Sequence, residues 1–164
     1  MKLFVITPGQ CHNGFDPDLS PDGKIQIVRL RELISRKTPQ PPMIVIGLGN
    51  RFRQTYNVLL PLLANIPIIS CPICGTGAIF EKDGTVTVAA RLNIIISNFM
   101  GINGTTKGFW PWEYFGHLEN GSLLIADGEL MRSFGFQSEP AGLYELETKS
   151  HTMVTAHHKT LIAA

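Results

Sequence analysis

Few side chains in this sequence stand where their types and spacing could do chemistry. Cys71-Pro72-Ile73-Cys74 places two thiols at the spacing that lets a thiolate pair share one tetrahedral metal ion. A structural zinc needs four ligands, and no second cysteine pair exists. Cys11, His12 or His117 would have to complete the set through the fold or across a subunit boundary. The same spacing suits dithiol redox chemistry, but no Lys or Arg lies close by to hold a thiolate. Two cysteines in a Pro-Gly loop without special chemistry is the reading with the fewest requirements. Cys11 with His12 offers a nucleophile beside a base, yet adjacency does not make two side chains converge. Arg51, after Gly47-Leu48-Gly49, can hold an anion bidentately. Asp127 and Glu129 flank Gly128 as candidate acid or base. His151, His157 and His158 read as surface residues of the last strand and tail.

These groups matter only where secondary structure aims them. Leu3 to Ile6 is a continuous apolar run, which suits a parallel strand buried on both faces, and Thr7-Pro8-Gly9 ends it. Ser20, Pro21 and Asp22 form a helix start. Ile27, Leu30 and Ile34 then make an apolar stripe with Leu33 alongside, Arg36-Lys37 suits the C-terminus, and Pro39, Pro41 and Pro42 stop the helix. Met43 to Ile46 is a second buried run, followed by a helix over about Arg51 to Leu60 that Pro61 bends or ends. Ile66 to Ile69 predicts a third strand, and Val86 to Ala90 another, although Ala89 to Leu92 could instead begin a helix. Ile94 to Ile96 suits either state. Leu123 to Ala126 is a strand, and Glu129 to Phe134 is helix-like. Leu143 to Glu147 and Met153 to Ala156 predict a hairpin at a sheet edge. Strand, loop and helix recur throughout, so we expect a three-layer α/β fold with a mostly parallel central sheet, flanking helices and a C-terminal β-hairpin. Residues 1–164 read as one domain.

Ligands in such sheets meet the carboxyl ends of the strands. Three places therefore qualify: Thr7 to Cys11, Gly47 to Arg51, and Asp127-Gly128-Glu129. The aromatic run Phe109-Trp110-Pro111-Trp112-Glu113-Tyr114-Phe115 reads mainly as packing, with Trp110 or Trp112 suited to an interface. The preceding Gly101 to Gly108 stretch, containing Asn103, should be mobile.

The bulk composition removes several function classes. Charged residues make up 16% of the chain and the net charge is +1, so no long-range field draws nucleic acid or an anionic membrane. The aromatics are not interleaved with basic residues, which also speaks against a nucleic-acid role. A low-charge chain with 16 Gly and 11 Pro could place apolar surface in a homo-oligomer interface. No window approaches the length of a bilayer span, and the Met1 to Ile6 run is too short for a signal peptide. Without evidence of secretion, the triplets at Asn103 and Asn120 match a glycosylation acceptor only formally. A cytoplasmic location without a cofactor is the expectation.

Three blocks, in order, carry a resemblance. They are Thr7-Pro8-Gly9 with Leu19-Ser20-Pro21-Asp22-Gly23-Lys24-Ile25-Gln26-Ile27, then Arg51-Phe52-Arg53-Gln54-Thr55-Tyr56, then Asp127-Gly128. The chain resembles the histidine phosphatases of the phosphoglycerate mutase type. Their corresponding blocks read Arg-His-Gly with Leu-Thr-x-x-Gly-x-x-Gln-Ala, Arg-Ala-x-Gln-Thr-Ala, and His-Gly. The likeness spans nearly the whole chain, weakly in the middle, and implies a phosphoglycerate mutase-like sheet.

In that family the first histidine becomes phosphorylated, with two arginines and the late histidine around the phosphoryl group. The matching positions here are Pro8, Thr7, Arg51 and Asp127, so the resemblance implies a degenerate site that keeps Arg51 alone. The family's acid, after the third strand, would fall near Cys71, where there is no glutamate; Glu81 is too remote to place. Two functions follow as expectations. One is an inactive relative with a binding or assembly role, in which Arg51 pairs with Asp127. The other is a phosphatase-like enzyme or sensor that holds a small phosphorylated or anionic ligand through Arg51, with Asp127 or Glu129 as a different acid or base.

Overall fold

Leu3 to Ile6 is apolar at every position, and such a strand needs cover on both faces. The computed structural model, which describes residues 1–14, 16–37, 40–71, 74, 78–80, 86–88 and 111–157, provides it. In β1 (Lys2–Ile6), Leu3 and Val5 join one core cluster while Phe4 and Ile6 join another, all at most 5% exposed. The chain continues through α1 (Pro21–Lys37), β2 (Ile44–Ile46), α2 (Asn50–Leu63), β3 (Ile68–Ser70), β4 (Ala78–Phe80) and β5 (Val86–Val88). It is completed by α3 (Pro111–Phe115), β6 (Ser122–Ile125), α4 (Gly128–Phe134), β7 (Leu143–Glu147) and β8 (Thr152–His157).

The main sheet runs β3-β2-β6-β1-β7-β8. Its first four strands are parallel, and β7 and β8 are antiparallel, forming the C-terminal hairpin at one edge. One face carries α1 and α2: Ile27, Leu30 and Ile34 of α1 and Phe52, Leu59 and Leu63 of α2 pack with Phe4, Ile6, Ile44, Ile46, Leu123 and Ile125. The other carries α3 and α4, where Trp112, Tyr114, Phe115, Leu130, Met131 and Phe134 cover Leu3, Val5, Val45 and Leu124. Each fully buried aliphatic side chain contributes about 1.5–3 kcal/mol, so the two-sided core dominates the stability. This is a three-layer α/β fold with a mostly parallel central sheet. Among the described residues, no helix is long and apolar enough to cross a membrane.

Ser20 caps α1 as its sequence predicts, its Oγ accepting from Gly23 N–H at 3.0 Å. Other boundaries moved. α2 runs through Pro61 to Leu63, because Pro61 and Asn57, whose carbonyl loses its partner, both face solvent. Ile66 belongs to the turn after α2, where Asn65 takes a positive φ of 68° and Ile66 N–H reaches Leu63 O, so β3 begins at Ile68. The strand at Val86 pairs with β4 in a separate two-stranded sheet. Phe109, Trp110, the 91–108 stretch with Ile94 to Ile96 and Asn103, Glu81, and His158 lie outside the described residues.

Within the aromatic run, Trp112 meets Phe134 edge-on at 4.6 Å and stacks at 4.6 Å on His151, the exposed residue of the β7–β8 turn. Packing accounts for its burial.

Candidate functional site

Because β2, β6 and β1 are parallel neighbours, their carboxyl ends open on the same edge of the sheet. A cleft of about 350 Å³ lies there. Thr7, Pro8 and Gly9 after β1, Arg51 on the first turn of α2, and Asp127 and Gly128 after β6 all line it. Gln10 and Cys11 continue the β1 side, and Ser138, Glu139 and Pro140 complete the wall. Glu129 is exposed on α4 and does not line the cleft, nor does His12 or His117. The segment Ser138 to Pro140 gave no local signal in the sequence. It reaches the site only because β7 lies antiparallel beside β1.

Local hydrogen bonds explain how the walls are held. Thr7 is 3% exposed; its hydroxyl donates to Glu139 O at 2.6 Å and accepts from Gly142 N–H at 2.8 Å. Ala141 N–H adds a bond to Pro8 O at 2.8 Å. Thr7 is thus a latch between β1 and the loop before β7. On the other side, Gly9 and Gly23 let the β1 loop lie against α1. A Cβ on Gly23 would stand 1.9 Å from Gln10 O, and one on Gly9 2.3 Å from Gly23 O. Gln26 locks this approach, its Oε1 accepting from Gln10 N–H at 3.0 Å.

α2 begins after Gly49, which offers no side-chain cap. Asp16 supplies one from the β1–α1 loop, its carboxylate accepting from Asn50 N–H at 2.8 Å. Gln54 then clamps the same loop, accepting from Leu19 N–H at 2.7 Å and donating to Asp18 at 3.0 Å. Arg51 is therefore presented by a helix whose start is fixed by the loop that leaves β1.

Arg51 and Asp127 meet across the β2 and β6 ends. Arg51 Nη2 lies 3.4 Å from Asp127 Oδ2, longer than the usual 2.7–2.9 Å of a charge-assisted bond. The guanidinium also sits over the Phe52 ring, 4.4 Å from its centroid. Asp127 Oδ1 caps α4, accepting from Leu130 N–H at 3.1 Å. Burial pushes the Asp127 carboxyl above its ordinary value; the Leu130 N–H bond and the Arg51 charge pull it back, the Glu129 charge opposes them, and the Glu129 N–H adds a smaller downward pull.

Cys74 O accepts from Asp127 N–H at 2.9 Å, so Cys74 supports the acidic end of the site. Both thiols are buried, and Cys71 Sγ lies 3.5 Å from Tyr114 Oη. Burial first, then the hydrogen bond to Cys71, pushes the Cys74 thiol well up, which disfavours the thiolate a metal would need. Among the described residues no group of three or more His, Cys, Asp or Glu side chains is placed to hold a metal ion. None of the three cysteines is in a disulfide; Cys11 is exposed at the cleft.

No family model matches the sequence, and no curated protein matches it significantly. Solved structures do match. TTHB049 from Thermus thermophilus superposes with a TM-score of 0.61 at 15% identity, over 96% of this chain and 99% of that one. The phosphoserine phosphatase of Entamoeba histolytica, solved with 3-phosphoglyceric acid, gives 0.61 at 12% identity over 98% of both chains. The mycobacterial glucosyl-3-phosphoglycerate phosphatase, solved with VO3, gives 0.55 at 13% identity, covering 89% of this chain and 92% of that one. The likeness is one of fold. The chain shares the fold of histidine-phosphatase and phosphoglycerate mutase-like structures.

Proposed function

We propose that this chain is a binding protein on a histidine-phosphatase-like scaffold, one that has lost both catalytic histidines and with them phosphoryl transfer. The observation that carries this reading is the Arg51–Asp127 contact within the cleft that also holds Pro8. Thr7, Pro8, Gly9, Asp127 and Gly128 are then positions of a degenerate site. Proline has no nucleophilic side chain. Thr7 has both its hydroxyl roles committed to backbone groups. Asp127 sets a carboxylate where a phosphoryl group would need donors. Two like unit charges about 4 Å apart repel by about 4 kcal/mol at an effective dielectric of about 20. Among the motif residues that survive, Gly23, Gln26 and Gln54 hold loops in place, and Arg51 alone keeps a charge at the cleft.

A second reading, a sensor or phosphatase-like enzyme holding a small phosphorylated or anionic ligand, draws support from Arg51. Its contact with Asp127 is long and uses one N–H donor, and Arg51 lines the cleft with donors to spare.

The test is a phosphomonoester hydrolysis screen of the wild type and Arg51→Ala. We expect no turnover above background in either. Turnover that disappears in the variant would overturn the proposal in favour of the second reading.

A further inference from the structure

The charges around the cleft define a ligand class. Its charged lining residues among those described are Arg51, Asp127 and Glu139: one cation and two carboxylates. Arg51 makes no other hydrogen bond through its guanidinium among the described residues, so donors remain for a ligand acceptor. Asp127 gives one oxygen to Leu130 N–H and the other to the long Arg51 contact, and each oxygen can accept again.

Glu139 is held by its backbone at both ends. Its N–H donates to Tyr144 Oη at 2.7 Å and its carbonyl accepts from Thr7 at 2.6 Å, while its carboxylate has no ion pair among the described residues. Glu139, half-buried and fixed through its backbone, thus stands on the wall of the cleft with its carboxylate in no ion pair among the described residues. Gln10 and Ser138 add uncharged hydrogen-bonding groups, and Pro8 and Pro140 add apolar contact. The volume of about 350 Å³ lies at the small end of ligand pockets, which span roughly 300–1,000 Å³.

We propose that the cleft takes a small zwitterion of the α-amino acid class, with its carboxylate on Arg51 and its ammonium on Asp127 and Glu139. A phosphomonoester dianion would add two negative charges to a site already holding an excess of one. A zwitterion adds none, and each of its ends meets an opposite charge. An amine without a carboxylate leaves the Arg51 donors unused, and a carboxylate without an amine leaves Glu139 unpaired. This inference rests on the proposed reading of the cleft as a binding site without phosphoryl transfer.

Isothermal titration calorimetry of the full chain tests it, with glycine, L-serine and L-glutamine as zwitterions, ethanolamine and lactate as half-ligands, and inorganic phosphate. At least one amino acid should bind with a millimolar or lower Kd, and both half-ligands and phosphate about tenfold or more weaker. Asp127→Asn keeps an oxygen to cap α4, and Glu139→Gln leaves the latch backbone intact. Each should weaken amino-acid binding about tenfold, and Asp127→Asn should strengthen phosphate binding. Three results would overturn the proposal: phosphate or either half-ligand binding as tightly as the best amino acid, amino-acid binding unchanged in both variants, or no amino acid binding at about 10 mM. Phosphate binding as tightly as the best amino acid, without phosphomonoester turnover, would remove this inference alone, whereas turnover lost in Arg51→Ala would remove the reading beneath it.

Discussion

Replacing Thr7 by valine deletes the latch that ties β1 to the loop before β7 while nearly preserving side-chain shape. Two backbone groups lose their partner: Gly142 N–H, which is buried, and Glu139 O, which lies at the partly buried cleft wall. An unsatisfied buried group costs about 1–3 kcal/mol, and the Glu139 carbonyl, which water can reach once the hydroxyl is gone, costs less. Thr7→Val should therefore lose about 2–4 kcal/mol. Thr7→Ser keeps both bonds and removes one methyl, for a loss of about 1 kcal/mol. Urea unfolding followed by tryptophan fluorescence separates them. At an m-value of about 2 kcal/mol/M, valine should lower the midpoint by about 1–2 M and serine by about 0.5 M, with unchanged m. Hydrogen exchange at the Gly142 amide should accelerate in the valine variant alone. If valine costs no more than serine, the hydroxyl is not a latch and the account of the cleft wall fails.

Asp127→Asn should alter the pH dependence of stability. Burial raises the folded-state pKa of Asp127 above its unfolded value, so its ionisation costs stability as pH rises from about 3.9 through the raised pKa. Asparagine carries no charge and keeps the cap, so the variant should gain on the wild type across that window and keep that gain above it. Urea midpoints between acidic and neutral pH read the difference, and a variant that falls further behind as pH rises would contradict the burial argument. Gly23→Ala should lose about 1–3 kcal/mol or more in the same unfolding assay, because its Cβ would press on the Gln10 carbonyl at 1.9 Å. Helix propensity alone favours alanine by about 1 kcal/mol, so a stabilised variant would refute the close approach.

Much of the layout was legible because periodicity reports burial directly. The apolar runs at Leu3, Ile44 and Leu123 became central strands covered on both faces, and Ser20 with Pro21 marked the start of α1. The departures fell where local propensity yields to surroundings: α2 continues through Pro61, whose face is solvated, to Leu63. The strand expected at Val86 is present, but its partner, β4 in a separate sheet, was not legible. The glycines and glutamines of the matched blocks were visible as a pattern, but their spacing could not say that they hold loops rather than ligands.

By itself, then, the sequence determined the two-sided parallel core, the edge hairpin and the strand-end positions of Thr7, Arg51 and Asp127. It did so because hydrophobic period and capping chemistry act over a few residues. Only the tertiary structure decided what those positions do. Arg51 and Asp127 are 76 residues apart, and their contact depends on β2 and β6 becoming neighbours. The Thr7 latch spans 135 residues to Gly142, and Glu139 enters the cleft only because β7 returns antiparallel to β1. A side chain's chemistry is local, but its partner, burial and net field are set by strand order, which no short segment encodes.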